Sequence, residues 1–366
     1  DATMQMQNFN QLFGPGSVRL IGPEAGLYDV SIGYDQAIEG EGTVGGTSYN
    51  AGLIRADTPG KTLVVGNLMN NFNIIAVTDA GRMVIPNQLL QTEDGRIDVV
   101  GEGSQLVLGS DGTFSGARIQ SGSINTTDGG RVIMGRSYEL RGVEINGDIV
   151  GDDLYILKLT SGSTLNGCID FMPSGDSGGI VNINSPAELN GEGRIVMSTN
   201  NGTLARVMGG SVADPLDLGP GIEITGPGNI LGNTIINGTI SPGQGIGRIH
   251  CLSPVTLSQT SRYNAEVGPD GSDLITSSQQ FALHGQLRVT FVDGFKPRGY
   301  WSRTVIEATE SNTEGLGRER PKPVGGRGSR SDKTGIQRRR GKAQRAERKR
   351  EGEKKGGEGG SGRNEG

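Results

Sequence analysis

The chain has little of what many folds are built from. Aromatic residues make up 4% of its 366 positions, with one tryptophan, and hydrophobic residues make up 33%. There are two cysteines, and no apolar run approaches the ~20 residues of a membrane-spanning helix. A disulfide framework and a helical membrane span are thereby excluded, and two thiols fix no redox compartment. Glycine, by contrast, is abundant, at 64 residues or about 17%, more than twice the usual share. That excludes a helical bundle, because each interior helical glycine costs about 1 kcal/mol. The glycines do not fall at every third position, which excludes collagen.

Charge is divided unevenly. Residues 311–366 hold 17 Lys+Arg and 8 Asp+Glu, whereas residues 1–310 hold 18 and 32, a net charge of −14. An acidic body does not attract nucleic acid or an anionic membrane. The chain starts at Asp1 rather than Met, as expected for a removed signal peptide or a fragment.

Self-similarity is the strongest signal. Three segments align: Asn50-Ala-Gly-Leu-Ile-Arg-Ala with Gly60-Lys-Thr-Leu-Val-Val, Asn71-Phe-Asn-Ile-Ile-Ala-Val with Gly81-Arg-Met-Val-Ile, and Glu93-Asp-Gly-Arg-Ile-Asp-Val with Gly103-Ser-Gln-Leu-Val-Leu. Ile54, Ile75 and Ile97 fall level, as do Ala56, Val77 and Val99, and Gly60, Gly81 and Gly103, at offsets of 21 and 22 residues. Looser copies follow around Ile124, Ile145, Ile195 and Ile235. Each copy holds two short runs of alternating polarity separated by turn residues, so each run has one inward and one outward face. Such a pair cannot bury its apolar face alone, but stacked copies can. A period near 21 therefore predicts an all-β, right-handed parallel β-helix (β-solenoid). Residues 41–240 should form about ten coils, roughly 45–50 Å long.

The pattern sets four expected regions: an N-terminal cap over 1–40, coils over 41–240, a C-terminal β cap over 241–310, and a disordered basic tail over 311–366. The cap has longer strands and shields an edge that would otherwise invite aggregation. The tail lacks the apolar residues needed to offset folding entropy. Cys168 and Cys251 lie 83 residues apart. Four coils separate them by about 19 Å, too far for a disulfide. Free thiols are expected, with Cys168 buried.

Residues 241–295 carry Ser241-Pro-Gly, the Gly245/Gly247 pair, Tyr263-Asn-Ala-Glu-Val, Ser272-Asp-Leu-Ile, Leu283-His-Gly-Gln-Leu-Arg-Val and Gly294-Phe-Lys-Pro. This series resembles the closing module of autotransporter-type passenger domains and of large secreted bacterial β-helix proteins such as those of planctomycetes. The resemblance covers about 40–300. It implies a secreted or cell-surface adhesive or structural protein, and it transfers no catalytic residues. The family would continue as ordered β structure or a membrane barrel; here the basic tail follows instead.

Candidate chemistry is sparse. Polygalacturonases, which also use parallel β-helices, carry Asn-Thr-Asp, Asp-Asp, His-Gly and Arg-Ile-Lys in that order. This chain offers Asn125-Thr-Thr-Asp128, Gly151-Asp-Asp153, Arg248-Ile-His250 and His284-Gly. Asp128, Asp152 and Asp153 could serve as the acid and base of an inverting hydrolase. However, the first motif has an inserted residue, the last two are exchanged, and His284 lies about six coils away from Asp153. Turn residues bonding the backbone explain the same carboxylates. Asp148, Asp152 and Asp153 with Arg141 are the corresponding set for a lyase.

Gly175-Asp-Ser-Gly-Gly179 looks like a serine-protease nucleophile segment, but His250 and His284 follow Ser177 instead of preceding it. Gly243-Gln-Gly-Ile-Gly247 lacks the following helix of a nucleotide loop. His250, Cys251 and His284 fall short of a four-ligand zinc site. Asn125, Asn201 and Asn237 head glycosylation sequons that read equally well as turns. The segment from Gln337 to Lys355 is basic without interleaved aromatics, so nucleic-acid stacking is not expected. The sequence thus predicts no cofactor, no metal and no membrane span. It predicts an adhesive or structural β-helix whose exposed Asn, Thr, Ser and Asp ladders meet extracellular glycans or cell surfaces. A polysaccharide-degrading glycosidase or lyase is the alternative.

Overall fold

The computed structural model describes residues 3–12, 14–46, 49–66, 69–109, 117–135, 137–151, 156–160, 162–171, 180–183, 188–200, 203–243, 245–297 and 301–312. All of them belong to the unit spanning 1–327. Every regular element among them is a strand, and nearly every pairing is parallel. The chain is a parallel β-helix with three faces.

Face one begins with eight parallel strands, from Gly16–Leu20 through Leu53–Ala56, Ile74–Val77 and Arg96–Val100 to Thr164–Leu165. The bridge Thr164↔Asn190 carries it on through Glu188–Leu189, Leu216–Leu218, Thr234–Ile236 and Val255–Leu257. Faces two and three belong to one large sheet. Each coil runs from face one to face two to face three and back, for fourteen rungs on face one among the described residues. At about 4.8 Å per rung that is roughly 60 Å.

Alternation explains why the stack holds. On face one, Ile38, Ile54, Ile75, Ile97, Ile124, Ile145 and Leu165 pair in succession and point inward, all 0% exposed. On face two, Leu63, Met83, Leu106, Val132, Ile149 and Ile169 form a second buried column. Each such side chain contributes roughly 1.5–3 kcal/mol on burial.

The isoleucine and Ala56–Val77–Val99 alignments hold in the register. The glycine alignment does not. Arg82 pairs with both Thr62 and Gln105, so Gly60 and Gly103 are level while Gly81 is displaced by one. The corner Thr78–Gly81 is one residue shorter than its neighbours, and only this slip keeps Leu63, Met83 and Leu106 inside. Coil length is also less regular than a fixed period, from 16 residues (Ile38 to Ile54) to 31 (Ile275 to Ile306).

No break occurs at residue 40: Gly16–Leu20 and Gln36–Gly40 are in register with Leu53–Ala56 as ordinary rungs. Beyond residue 241 the interior holds Tyr263 and Phe281, both buried. Tyr263 Oη donates to Val305 O at 2.8 Å. The strand Leu274–Leu283 spans faces three and one with no corner, pairing in turn with Arg248–Cys251 and Val255–Leu257. Phe291, Phe295 and Trp301 meet edge to face, 5.5–5.9 Å apart, beside the last rungs. The last described strand, Ile306–Asn312, runs past the expected boundary at 310, and residues 313–366 lie outside the described residues.

Both cysteines are free thiols, as expected, but Cys168 is only half-buried, while Cys251 is buried. Cys251 points into the core, and burial pushes its thiol up to about 12. Cys168 begins the strand Cys168–Phe171 on the outward phase of the alternation and is half-buried.

Candidate functional site

Asp128 occupies the exposed corner between faces one and two, in the left-handed region with φ 53°. That is the geometry of a turn residue. Asp152 and Asp153 lie outside the described residues, as does Ser177. Arg141 ends a face-three strand and Asp148 sits at the corner between faces one and two, so the described part of the lyase set is divided between two corners.

The other candidates resolve into packing. The amides of Gly245 and Gly247 donate to Glu266 Oε2 (2.5 Å) and Asp273 Oδ1 (2.7 Å). A loop whose N–H groups are taken by its own carboxylates is no phosphate cradle. His250 Nδ1 lies 2.6 Å from Thr276 Oγ1, while the neighbouring Cys251 points to the opposite side of the strand, so the two cannot share a metal. Burial, then the charge of Arg248, lowers the His250 pKa. Among the described residues no group of three His, Cys, Asp or Glu could hold a metal ion. No helix among them is long and apolar enough to cross a membrane. Asn125 and Asn237 are engaged with Asp98 and Asp217, and Asn201 lies outside the described residues.

The most differentiated surface is the edge where face three turns into face one. Inside it runs a buried amide ladder. Asn50 Nδ2 donates to Asn71 Oδ1 at 2.8 Å, and Asn71 Nδ2 donates to Gln91 Oε1 at 2.8 Å. Gln91 Nε2 closes the ladder on Ser121 O at 3.1 Å. These side chains also satisfy the turn backbone: Asn50 donates to Ile74 O, Asn71 donates to Asn73 O, and Gly52 N donates to Asn50 Oδ1. Burial without partners would be costly, so the ladder locks each turn in place.

Outside, the same residues carry two rings. Tyr49 precedes Asn50 and Phe72 follows Asn71, and their rings stack at 6.1 Å with 21° between planes. Each is 42% exposed, and Tyr34 stands exposed on the turn before them. The next turns along the edge hold Glu93, then Gly122, Gly142 and Gly162. These glycines floor an open groove of about 300 Å³ flanked by Glu93, Glu144 and Thr164. A Cβ at Gly122 would strike Gly95 O, so the close approach of successive turns requires glycine there.

Beside this edge, the outer side of face one bears a second, partly exposed amide row. Asn125 donates to Asp98 (2.8 Å), Asn146 to Asn125 (3.0 Å), and Asn166 to Asn146 (2.8 Å). Farther along, a shallower groove holds Cys168, Glu192, Arg194 and Glu223. Burial raises the Asp170 carboxyl despite the nearby Arg194, and its Oδ1 has no hydrogen-bond partner.

The ring pair escaped the sequence reading, although the signal was present. Once Asn50 and Asn71 are aligned, Tyr49 and Phe72 flank the same rung position.

No protein-family model matches the chain, and no curated protein matches it.

Proposed function

We propose that this β-helix is a structural and adhesive protein of the cell exterior, binding glycans along the edge between faces three and one. One observation carries the reading. Along that edge, exposed rings, a glycine floor and hydrogen-bonding side chains follow one another at rung spacing on a rigid, amide-locked support. Sugar recognition needs both parts: apolar faces for the ring C–H surfaces and polar groups for the hydroxyls. A surface of repeated shallow contacts suits retention of a polymer better than turnover of a bond.

The test is cosedimentation of the full chain with insoluble plant and algal polysaccharides, with reducing ends assayed in the same tubes. Retention without release is expected. Failure to be retained by any polysaccharide contradicts the reading. So does release that disappears in the double variant Asp152→Ala, Asp153→Ala, which would make the chain an enzyme.

A further inference from the structure

Resting on that reading, we infer that the Tyr49–Phe72 pair is a sugar-stacking platform, and that its ligand is a pyranose chain without carboxylates. The chain would lie along the helix axis, from the rings toward the groove of Gly122, Gly142 and Gly162.

Three observations carry this. First, rings are scarce in this chain, and the largest buried ones, Tyr263, Phe171 and Phe281, fill its interior. Two rings left 42% exposed and stacked at 6.1 Å on neighbouring rungs form one exposed apolar patch. A cross-strand aromatic pair stabilises a sheet by about 0.2–1 kcal/mol. That contribution does not require the outer faces to stay open, and a stacked ligand would cover them.

Second, the platform is held in position. Tyr49 and Phe72 adjoin Asn50 and Asn71, whose buried amides fix the turn, and Phe72 N donates to Asn50 O at 2.8 Å. A rigid ring surface binds with little loss of conformational freedom.

Third, the direction and charge of the edge select the ligand. The turn after Phe72 lies directly over the turn bearing Glu93, because Thr92 N donates to Asn71 O and Arg96 N to Asn73 O. A ligand leaving the rings along the axis therefore meets Glu93 and the glycine-floored groove with Glu144. Arg96 is tied to Asp98 at 2.9 Å, and Arg141 does not line the groove. Carboxylates here, and the net charge of −14 over residues 1–310, repel uronates.

The experiment titrates the full chain with short and long neutral gluco-oligosaccharides and with galacturonate oligomers of matching length. Phe72→Ala, Phe72→Trp and Tyr49→Ala are run beside it, each with its thermal midpoint. The expected result has four parts. Neutral oligomers bind more tightly as they lengthen. Either alanine variant weakens them about tenfold. Phe72→Trp restores binding. Galacturonate binding is unchanged by Phe72→Ala, which separates any attraction to the basic tail from the platform. Neutral binding that survives both alanine variants overturns the platform while leaving the adhesive reading intact. Galacturonate binding that is tighter than neutral binding and lost in Phe72→Ala overturns the ligand class. If no oligomer binds and no polysaccharide retains the protein, the adhesive reading itself falls.

Discussion

Two amide rows run along this helix, one inside and one outside, and the same chemistry has different consequences in each. Asn50, Asn71 and Gln91 are buried and bonded to one another, at 2.8 Å each, as well as to turn backbone. Asn125, Asn146 and Asn166 make bonds of 2.8–3.0 Å in the same head-to-tail manner, but on the outer side of face one, where water competes. Hydrogen-bond length does not distinguish the rows. What differs is the cost of leaving a partner unsatisfied, which is large only where water cannot replace it. The inner row is thus part of the core, and the outer row is surface.

Substitutions break or sharpen this contrast. The largest effect belongs to the apolar ladder beside the inner row: Ile97→Ala should lose about 3–4 kcal/mol in urea unfolding. Asn71→Ala should cost about 3 kcal/mol, because it strands Asn50 and Gln91 and frees the Asn73 carbonyl. Asn146→Ala, its outer counterpart, should change stability by less than about 0.5 kcal/mol.

Asp170 inverts the contrast. It sits between Val150 and Val196 on the outer side of face two with an unpartnered oxygen. Its raised pKa means the folded state holds the proton more tightly than the unfolded state. Its charge therefore lowers stability above the folded pKa, and the penalty fades as pH falls through that raised value and is gone below the ordinary carboxylate range. Asp170→Val should stabilise by about 0.5 kcal/mol at neutral pH, after discount for partial exposure, and by less in acid. The smallest structural effect is at the thiols: a maleimide should label Cys168 in the native protein and Cys251 only after unfolding.

Much of the fold was legible because alternation and stacking leave repeated traces. Ile54, Ile75 and Ile97 could be matched by eye, and they are adjacent rungs. Gly81 could not be placed, because corner length varies freely while strand register is held by burial. Sequence identity at the corner was a poorer guide than the inward column Leu63–Met83–Leu106. Cys168 was misplaced for the same reason: one residue decides between core and surface.

The candidate site was less legible. Asn50 and Asn71 read as turn residues, and only their rung-to-rung contact makes them a buried ladder. Tyr49 and Phe72 lie 23 positions apart, and stacking brings them together. Asp128, the one carboxylate of the hydrolase set within the described residues, took the turn geometry that its neighbours Thr127 and Gly129 suggest.

Native-state hydrogen exchange tests the contrast most directly. The amides of Gly52 and Asn73 donate to the inner ladder, at 3.1 Å to Asn50 Oδ1 and 3.4 Å to Asn71 Oδ1. The amide of Glu192 donates to the outer row, at 3.3 Å to Asn166 Oδ1. Gly52 and Asn73 should exchange only through global unfolding, with protection that follows total stability under denaturant. Glu192 should exchange through local opening, independent of denaturant. Equal, denaturant-independent exchange at all three would contradict the claim that the inner amides belong to the core.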